Sequence, residues 1–332
     1  MTVQSPDGAM VRTAENPPTR PRAPRTAGLL ERWLVPPHLQ YALRVLRGRE
    51  PHAHRTRFYR EVVGWLVPTE IQMALLALRY RLAGLDVSGN RSLHMKHADQ
   101  RRCFVIGNGP SIRDMDLAIL ADEITIGSNS FYKHRDSDVV GLDYLCIGDA
   151  TFWEDTPNAV EWHRIIEARM PDTTMMFHAD ARRLTERHGL YAQNEVHVYR
   201  HGITVSSPEL VHFDFTKPLN VGHTTGSRLA IPLAFYLGFR EIYLLGFDAS
   251  WLDAYEGSYH FYDTHQQWPI FDSQAADDRH PRYADQLINA LRDFESHSLL
   301  AESAPMHGVR IFNAGRGGRL DMYPRVDFES LF

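Results

Sequence analysis

Seven short apolar segments, separated by stretches long enough to form helices, dominate the sequence from residue 101 onward. The segments are CFVIG (103–107), EITIGS (123–128), DYLCIG (143–148), TTMMFH (173–178), EVHVYR (195–200), EIYLLGF (241–247) and VRIFNA (309–314). Helical patterns lie between several of them, at residues 158–169, 224–238 and 281–303. Strands that alternate with helices in this way are typical of a mostly parallel sheet with helices on both faces. The sequence therefore predicts a doubly wound, Rossmann-like α/β domain over residues 101–332.

Polar or small residues follow four of the predicted strands at the point where each strand ends. These residues are Asn108, Gly109 and Ser111 after the first strand, Asn129 after the second, Asp149 after the third and Asp248 after the strand at 241–247. The carboxyl ends of parallel strands meet at one edge of a sheet, where ligands bind in doubly wound folds. We therefore expect these side chains to line one crevice.

The turn GNGPS (107–111) has two readings. Gly107 and Gly109 permit a tight turn and a close approach of backbone, and Ser111 can cap a following helix whose amides would then face an anion. The glycine spacing matches neither the Walker loop nor the dinucleotide-binding pattern, and a strand-to-helix turn with glycine is common, so an ordinary turn is the alternative to a ligand site. Asn108 and Asn129 are likewise either turn asparagines or ligands of a ribose, phosphate or base.

Two further polar segments lie near the predicted helix starts. Thr224 and Thr225, with Gly226, lie at the start of the helical pattern at 224–238, where a threonine can cap the helix or present its hydroxyl group to the same crevice. His280 lies five residues ahead of Asp285, just before the last long helix. A histidine that a carboxylate orients can serve as a general base near neutral pH.

The N-terminal third differs in composition from the rest. Residues 1–27 are rich in Arg and Pro and are predicted to be a disordered leader, whereas residues 28–100 carry amphipathic helical patterns interrupted by prolines. Residues 1–102 hold 17 Lys and Arg against 8 Asp and Glu, while the remainder holds 19 against 33. The basic helices either pack on their own domain or lie on the surface of an anionic membrane. No nucleic-acid recognition motif accompanies them.

The sequence also bears on the compartment. No secretory signal pattern and no run of about 18 apolar residues are present, so we expect a chain that neither spans a membrane nor is exported by that route. The two cysteines, Cys103 and Cys146, lie in predicted buried strands and are expected to be reduced core thiols. These features favour a cytoplasmic protein, with contact to the inner membrane face as the alternative.

Four motifs, VIGNGPSI (105–112), GSNSFY (127–132), TTGSRLAIPLAFYLGFREIYLLGFD (224–248) and GSYHFYD (257–263), resemble two related groups of proteins. One is the bacterial lipooligosaccharide sialyltransferases of glycosyltransferase family 42. The other is the broader MptE-like family, which includes archaeal 6-hydroxymethylpterin pyrophosphokinases and flagellin glycosylation factors. The resemblance runs from about residue 102 to 315 in the same motif order.

The sialyltransferase pattern implies roles for particular residues. Donor binding would involve Gly107, Asn108 and Gly109 at the phosphate and sugar, Asn129 at the nucleotide, and Thr225 with Gly226 at the donor. In catalysis, His280 with Asp285 would be the base, and Tyr259 would assist the departing phosphate. The chain departs from that pattern at Asp149, where the family has Asn, and at Ser250, where it has Tyr. The segment that contains Arg316 and Arg319 is more similar to the MptE-like proteins, and these arginines face either a phosphate or solvent.

The resemblance predicts an inverting glycosyltransferase that needs no cofactor. It would move a sugar, of a sialic-acid-like keto type, from a nucleotide donor to a glycan or lipid-linked acceptor. Asn108, the glycine-loop amides and Tyr259 would stabilise the leaving phosphate. The alternative is a Mg²⁺-dependent pyrophosphokinase, in which Asp149 and Asp248 would hold the metal. A third interpretation is a non-catalytic nucleotide-binding scaffold.

Overall fold

The computed structural model describes residues 69–148, 150–203, 205, 207–221, 226–250, 252, 260–262 and 283–332. The chain divides into two units, Met1–Glu61 and Val62–Phe332, and every described residue belongs to the second. The predicted leader at 1–27 and the predicted helical extension as far as residue 68 lie outside the described residues.

A seven-stranded sheet forms the centre of the described unit. Its strands are β1 (Arg102–Ile106), β2 (Thr125–Ser128), β3 (Tyr144–Ile147), β4 (Thr174–His178), β5 (Val196–Tyr199), β6 (Glu241–Leu245) and β7 (Arg310–Asn313). All six neighbouring pairs are parallel. Each strand lies within or next to one of the seven predicted apolar segments, so the predicted α/β fold is confirmed.

The strand order decides where a ligand can bind. The order is β5-β4-β3-β2-β1-β6-β7, so the chain proceeds outward from β1 to β5 and then returns to the other side of β1 with β6. The direction of winding thus reverses between β1 and β6. In doubly wound sheets a ligand crevice opens outside the carboxyl ends of the two strands at this switch. We call the space outside β1 and β6 the switch-point crevice.

The apolar character of the strands follows from their burial on both faces. In β1, the side chains of Cys103 and Val105 pack into one hydrophobic cluster, and those of Phe104 and Ile106 pack into a second. All four are 0% exposed. Successive side chains of a strand point to opposite faces, so a sheet covered on both sides requires an unbroken apolar run.

Helices cover the two faces. They are α1 (Thr69–Leu82), α2 (Ser137–Val140), α3 (Pro157–Arg169), α4 (Ala181–His188), α5 (Gly226–Leu237) and α6 (Tyr283–Ser303). The Thr156 side chain caps α3 by accepting a hydrogen bond from the Ala159 amide at 3.2 Å. Helix α5 contacts β1, β2 and β3 and consists mainly of buried apolar residues, which places it across the centre of the sheet. Helices α3, α5 and α6 confirm the three predicted helical segments.

The residues that precede β1 are fixed to the sheet domain. A 3₁₀ turn, Ser88–Leu93, presents Asn90, whose Nδ2 donates to Val198 O at 2.8 Å and to Phe215 O at 2.9 Å. Further along, the amide of His97 donates to Leu237 O at 2.9 Å. The described end of the N-terminal extension therefore combines one α-helix with a turn that packs against β5.

The cysteines lie where the sequence predicts them. Cys103 in β1 and Cys146 in β3 are buried and form no disulfide. Burial raises the pKa of both thiols, because the charged thiolate is poorly solvated in the core. Both are therefore inert core thiols, as expected. Within the described part of the chain, no helix combines the length and the apolar character needed to cross a membrane.

Candidate functional site

Two glycine-containing loops meet at the switch-point crevice. The Gly107 amide donates to Leu245 O at 2.8 Å, and the Gly109 amide donates to Gly246 O at 2.9 Å. A Cβ atom on either Gly107 or Gly109 would lie 2.6 Å from Gly246 O, which is closer than such atoms can approach. The two glycines thus let the loops after β1 and β6 touch, and their amides are used within the protein.

Asp248 occupies the position that the sequence assigned to an anionic ligand. The loop after β1 continues as a 3₁₀ turn, Pro110–Ile112, in place of the helix that Ser111 was predicted to cap, and no side chain caps this turn. The Ser111 amide donates to Asp248 Oδ2 at 2.7 Å. Burial raises the pKa of Asp248, and the hydrogen bonds from Ser111 and the charge of Arg325 oppose that shift. The protein's own carboxylate therefore takes the anion position at this amide.

The side chain of Asn108 has a buried oxygen that accepts no hydrogen bond from the described residues. Asn108 is only 7% exposed. Its Nδ2 donates to Ser128 O at 2.9 Å and to Ser128 Oγ at 3.2 Å. Its Oδ1 is buried and, among the described residues, accepts no hydrogen bond. A buried carbonyl oxygen without a donor costs free energy, so an unpaired one at a strand end points to a ligand.

Asn129 repeats this arrangement at the end of β2. Its amide donates to Cys146 O at 3.1 Å, and its φ of 47° lies in the left-handed region, which Asn tolerates better than most residues. Its buried Oδ1 also has no partner within the described chain. Amide oxygens only accept hydrogen bonds, so a ligand that satisfies Asn108 and Asn129 must offer O–H or N–H donors, as a ribose or an amino-substituted base does.

A short segment, His260–Tyr262, covers the loop after β1. The Phe261 amide donates to Asn108 O at 2.9 Å, and Phe261 is itself buried. Arg113 fixes the segment from the other side, with Nε donating to Phe261 O at 2.9 Å and an amino group donating to His260 O at 3.3 Å. Burial, with a smaller contribution from the positive charge of Lys133, lowers the pKa of His260 to about 4.

Lys133 is a residue of this site that sequence reasoning missed. It ends a 3₁₀ turn, Phe131–Lys133, that begins two residues after Asn129. Its Nζ lies 4.6 Å from the centre of the Tyr262 ring and 5.6 Å from that of Tyr132. Burial lowers its pKa to about 8. A basic residue four positions after a strand-end Asn was the only signal in the sequence.

The loop after β7 packs against Asp248 in the loop after β6. The Arg319 amide donates to Asp248 O at 2.7 Å, and a Cβ atom on Gly318 would lie 2.7 Å from the same oxygen. Arg316, for which the sequence left open a phosphate or solvent, forms an ion pair with Glu329. The loop therefore packs directly on the backbone of Asp248.

The structure brings together six of the predicted site residues. Gly107, Asn108, Gly109, Ser111 and Asp248 lie at the carboxyl ends of β1 and β6, and Asn129 lies beside them at the end of β2. Gly226 is the first residue of α5, and Asp285 lies in the first turn of α6. Asp149, Thr224, Thr225, Tyr259 and His280 lie outside the described residues. Within the described ranges, no three His, Cys, Asp or Glu side chains form a group that could hold a metal ion.

The parallel sheet, its helices and the crevice at the β1/β6 switch define a Rossmann-like α/β protein. No protein-family model matches the chain, and no curated protein matches it significantly. Among solved structures, the chain is similar to the MAf glycosyltransferase from Magnetospirillum magneticum AMB-1, with 16% sequence identity and a TM-score of 0.43. The similarity covers 72% of this chain and 36% of that chain, so the protein spans little more than a third of the neighbour's length.

Proposed function

We propose that this protein is a glycosyltransferase that binds a nucleotide-sugar donor in the switch-point crevice and transfers the sugar to a glycan or lipid-linked acceptor. The observation that carries the proposal is that the buried side-chain oxygens of Asn108 and Asn129 have no hydrogen-bond partner among the described residues. They sit at adjacent strand ends beside the switch, where nucleotides bind in doubly wound folds. A nucleoside supplies the O–H and N–H donors that these oxygens lack.

The chemistry proposed for the site is a single inverting displacement that needs no metal. The motif resemblance assigns the base to His280, oriented by Asp285, which would take the proton of the acceptor hydroxyl as it attacks the anomeric carbon. The same resemblance assigns Tyr259 to the leaving phosphate and favours a keto-sugar of the sialic-acid type as donor. The amides of Gly107 and Gly109 already donate to Leu245 O and Gly246 O, so these two amides are not available to the phosphate, and Asn108 and Tyr259 remain its proposed partners.

Calorimetric titration of the full-length protein with CMP, UMP, GDP and ATP, each with and without Mg²⁺, tests this proposal. We expect one pyrimidine or purine nucleotide to bind without Mg²⁺, and Asn108→Ala to weaken that binding about tenfold or more, because a buried hydrogen bond to the ligand is lost. Asn194→Ala is the matched control. Asn194 also has a buried unpartnered Oδ1, but it precedes β5 and so lies at the amino edge of the sheet.

Other results would replace the proposal. Binding of ATP alone, and only with Mg²⁺, would overturn it in favour of a pyrophosphokinase in which Asp149 and Asp248 hold the metal. Nucleotide binding together with unchanged cellular function in His280→Ala would instead identify a nucleotide-binding scaffold. If a nucleotide binds as expected, incubation of the protein and an acceptor with the matching sugar nucleotide should yield the free nucleotide. His280→Ala should slow the formation of free nucleotide without weakening nucleotide binding.

A further inference from the structure

A phosphate in the switch-point crevice needs a positive group, and three amides of the loop after β1 are already engaged within the protein. In many nucleotide sites a glycine loop offers its amides to the phosphate. Here the amides of Gly107, Gly109 and Ser111 each donate to an oxygen of the protein itself. Arg113, which contacts the covering segment, donates to the carbonyl oxygens of His260 and Phe261. A positively charged side chain near this loop is therefore a candidate partner for an anionic ligand.

Lys133 is a half-buried cation whose surroundings, as far as the structure describes them, do not neutralise its charge. It is half-buried, and among the described residues no carboxylate forms an ion pair with it. Two tyrosine rings lie near its ammonium group, at 4.6 Å for Tyr262 and 5.6 Å for Tyr132. Such cation–π contacts hold the group in place but offset only part of the cost of removing a charge from water. That cost is visible in its pKa, which burial lowers to about 8.

Lys96 is a lysine of the same protein that has both a ring contact and a carboxylate partner. Its Nζ lies 5.7 Å from the centre of the Tyr144 ring, so it also makes a cation–π contact. Unlike Lys133, it has a carboxylate partner, Glu195 Oε2, at 3.9 Å. Lys96 lies ahead of β1 in the chain and Glu195 lies ahead of β5, so the pair sits at the amino edge of the sheet, away from the crevice.

The contacts of Lys133 connect it to the nucleoside-binding oxygens. Its ring partner Tyr262 follows Phe261, whose amide binds Asn108 O at 2.9 Å. Along the chain, Lys133 lies in the turn that directly follows Asn129. Lys133 therefore lies at the same end of the sheet as Asn108 and Asn129, whose side-chain amide oxygens have no partner among the described residues. A single molecule that satisfies all three carries hydrogen-bond donors at one end and negative charge at the other, as a nucleotide does.

We propose that Lys133 is the phosphate-binding residue of this crevice, held in position by Tyr262 and Tyr132 until the anionic ligand arrives. That the phosphate belongs to a nucleotide rests on the proposed function. The positioning of a cation for a phosphate does not rest on it, because the ring contacts, and the lack of a carboxylate partner among the described residues, are observed in this chain whatever the ligand is.

The test compares three variants of the full-length protein: Lys133→Met, Lys133→Arg and the control Lys96→Met. The probes are the tightest-binding nucleotide of the panel, its uncharged nucleoside, and inorganic pyrophosphate, all measured by calorimetry. We expect Lys133→Met to weaken nucleotide and pyrophosphate binding about tenfold or more, since a charge-assisted contact is lost, and to leave nucleoside binding unchanged. Lys133→Arg should retain most of the affinity, and Lys96→Met should match the unaltered protein. Thermal unfolding verifies that each variant is folded.

The outcomes separate the two proposals. Nucleotide affinity in Lys133→Met within threefold of the unaltered protein would overturn the role of Lys133 and leave the proposed function standing. Pyrophosphate binding that depends on Lys133, without binding of any nucleotide, would support the phosphate site and overturn the proposed function. An unaltered protein that binds neither probe would overturn both.

Discussion

The backbone amide of Ser111 donates to Asp248 Oδ2 at 2.7 Å, and this bond joins the loops that follow β1 and β6. The backbone oxygen of Asp248 accepts from the Arg319 amide at 2.7 Å, which adds the loop after β7. Asp248 thus connects three strand ends at the edge of the sheet where the ligand is proposed to bind. Its carboxylate is a structural group of the crevice, with one oxygen already engaged.

Two substitutions at Asp248 separate this structural role from a role in metal binding. Asp248→Asn keeps an oxygen that can accept from Ser111, so we expect a free energy of unfolding within about 1 kcal/mol of the unaltered protein and retained nucleotide binding. Asp248→Ala leaves the Ser111 amide without its acceptor and should cost about 1–3 kcal/mol. Urea denaturation measures both. Loss of nucleotide binding in a stable Asp248→Asn variant would indicate that the carboxylate acts on the ligand or on a metal.

The close approach of the loops predicts that Gly109 does not tolerate a side chain. A Cβ atom there would lie 2.5 Å from Asp248 Oδ2 and 2.6 Å from Gly246 O, so the loops must separate. We expect Gly109→Ala to lower the free energy of unfolding by about 1–3 kcal/mol, the usual cost of overpacking. Gly89→Ala, where a Cβ would meet no atom within 4 Å, is the control and should change it by less than about 0.5 kcal/mol. Equal effects would show that the loops are not closely packed.

Asn129 allows its backbone and its side chain to be tested separately. Its φ of 47° costs an alanine roughly 1 kcal/mol but costs a glycine nothing. We therefore expect Asn129→Gly to be more stable than Asn129→Ala in urea denaturation. Both variants lack the unpaired Oδ1, so both should lose nucleotide affinity to the same extent in calorimetry. Full affinity in Asn129→Gly would remove Asn129 from the ligand site.

His163 should make the protein sensitive to acid. The residue is fully buried, with Nε2 donating to Phe152 O and Nδ1 bonded to the Tyr191 hydroxyl, each at 2.8 Å. Burial lowers its pKa to about 4, against about 6.5 in the unfolded chain. Between these values only the unfolded chain gains the proton, so stability falls as the pH falls from 6.5 towards 4.

A comparison of variants isolates that contribution. His163→Gln keeps a donor and an acceptor but cannot titrate, so its loss of unfolding free energy between pH 7 and pH 5 should be smaller by about 2 kcal/mol. The exposed His94→Gln serves as the control and should follow the unaltered protein. Parallel pH profiles for His163→Gln and the unaltered protein would contradict a buried, neutral His163. Denaturant titrations at the two pH values give the answer.

A buried ion pair joins helices α5 and α6. Arg228 Nε lies 2.6 Å from Asp293 Oδ1, and both side chains are 3% exposed. Removal of one partner leaves a buried charge without its counterion, so Arg228→Met should cost about 3–5 kcal/mol. The double variant Arg228→Met with Asp293→Leu should recover most of that loss. Removal of the exposed pair Arg182–Glu186 should cost less than about 1 kcal/mol in the same unfolding assay.

The strands and the residues at their ends could be predicted from the sequence because both are local properties. A strand that is buried on two faces must be an unbroken apolar run, and CFVIG and EIYLLGF satisfy that condition. The glycines and asparagines at 107–109 and 129 mark strand ends because backbone turns there require them. The same reasoning was wrong about the turn at Ser111, where a helix start was expected and a 3₁₀ turn is found.

Only the tertiary structure decided which strand ends face one another. Ser111 and Asp248 are 137 residues apart, and their contact exists because β6 returns to the far side of β1. Lys133 gave almost no signal in the sequence, since burial in the folded protein lowers its pKa and its ring partner Tyr262 belongs to a segment distant in the chain. The apolar pattern of a chain determines which residues are buried. The strand order determines which polar groups meet at one edge of the sheet, where they are shielded from water together.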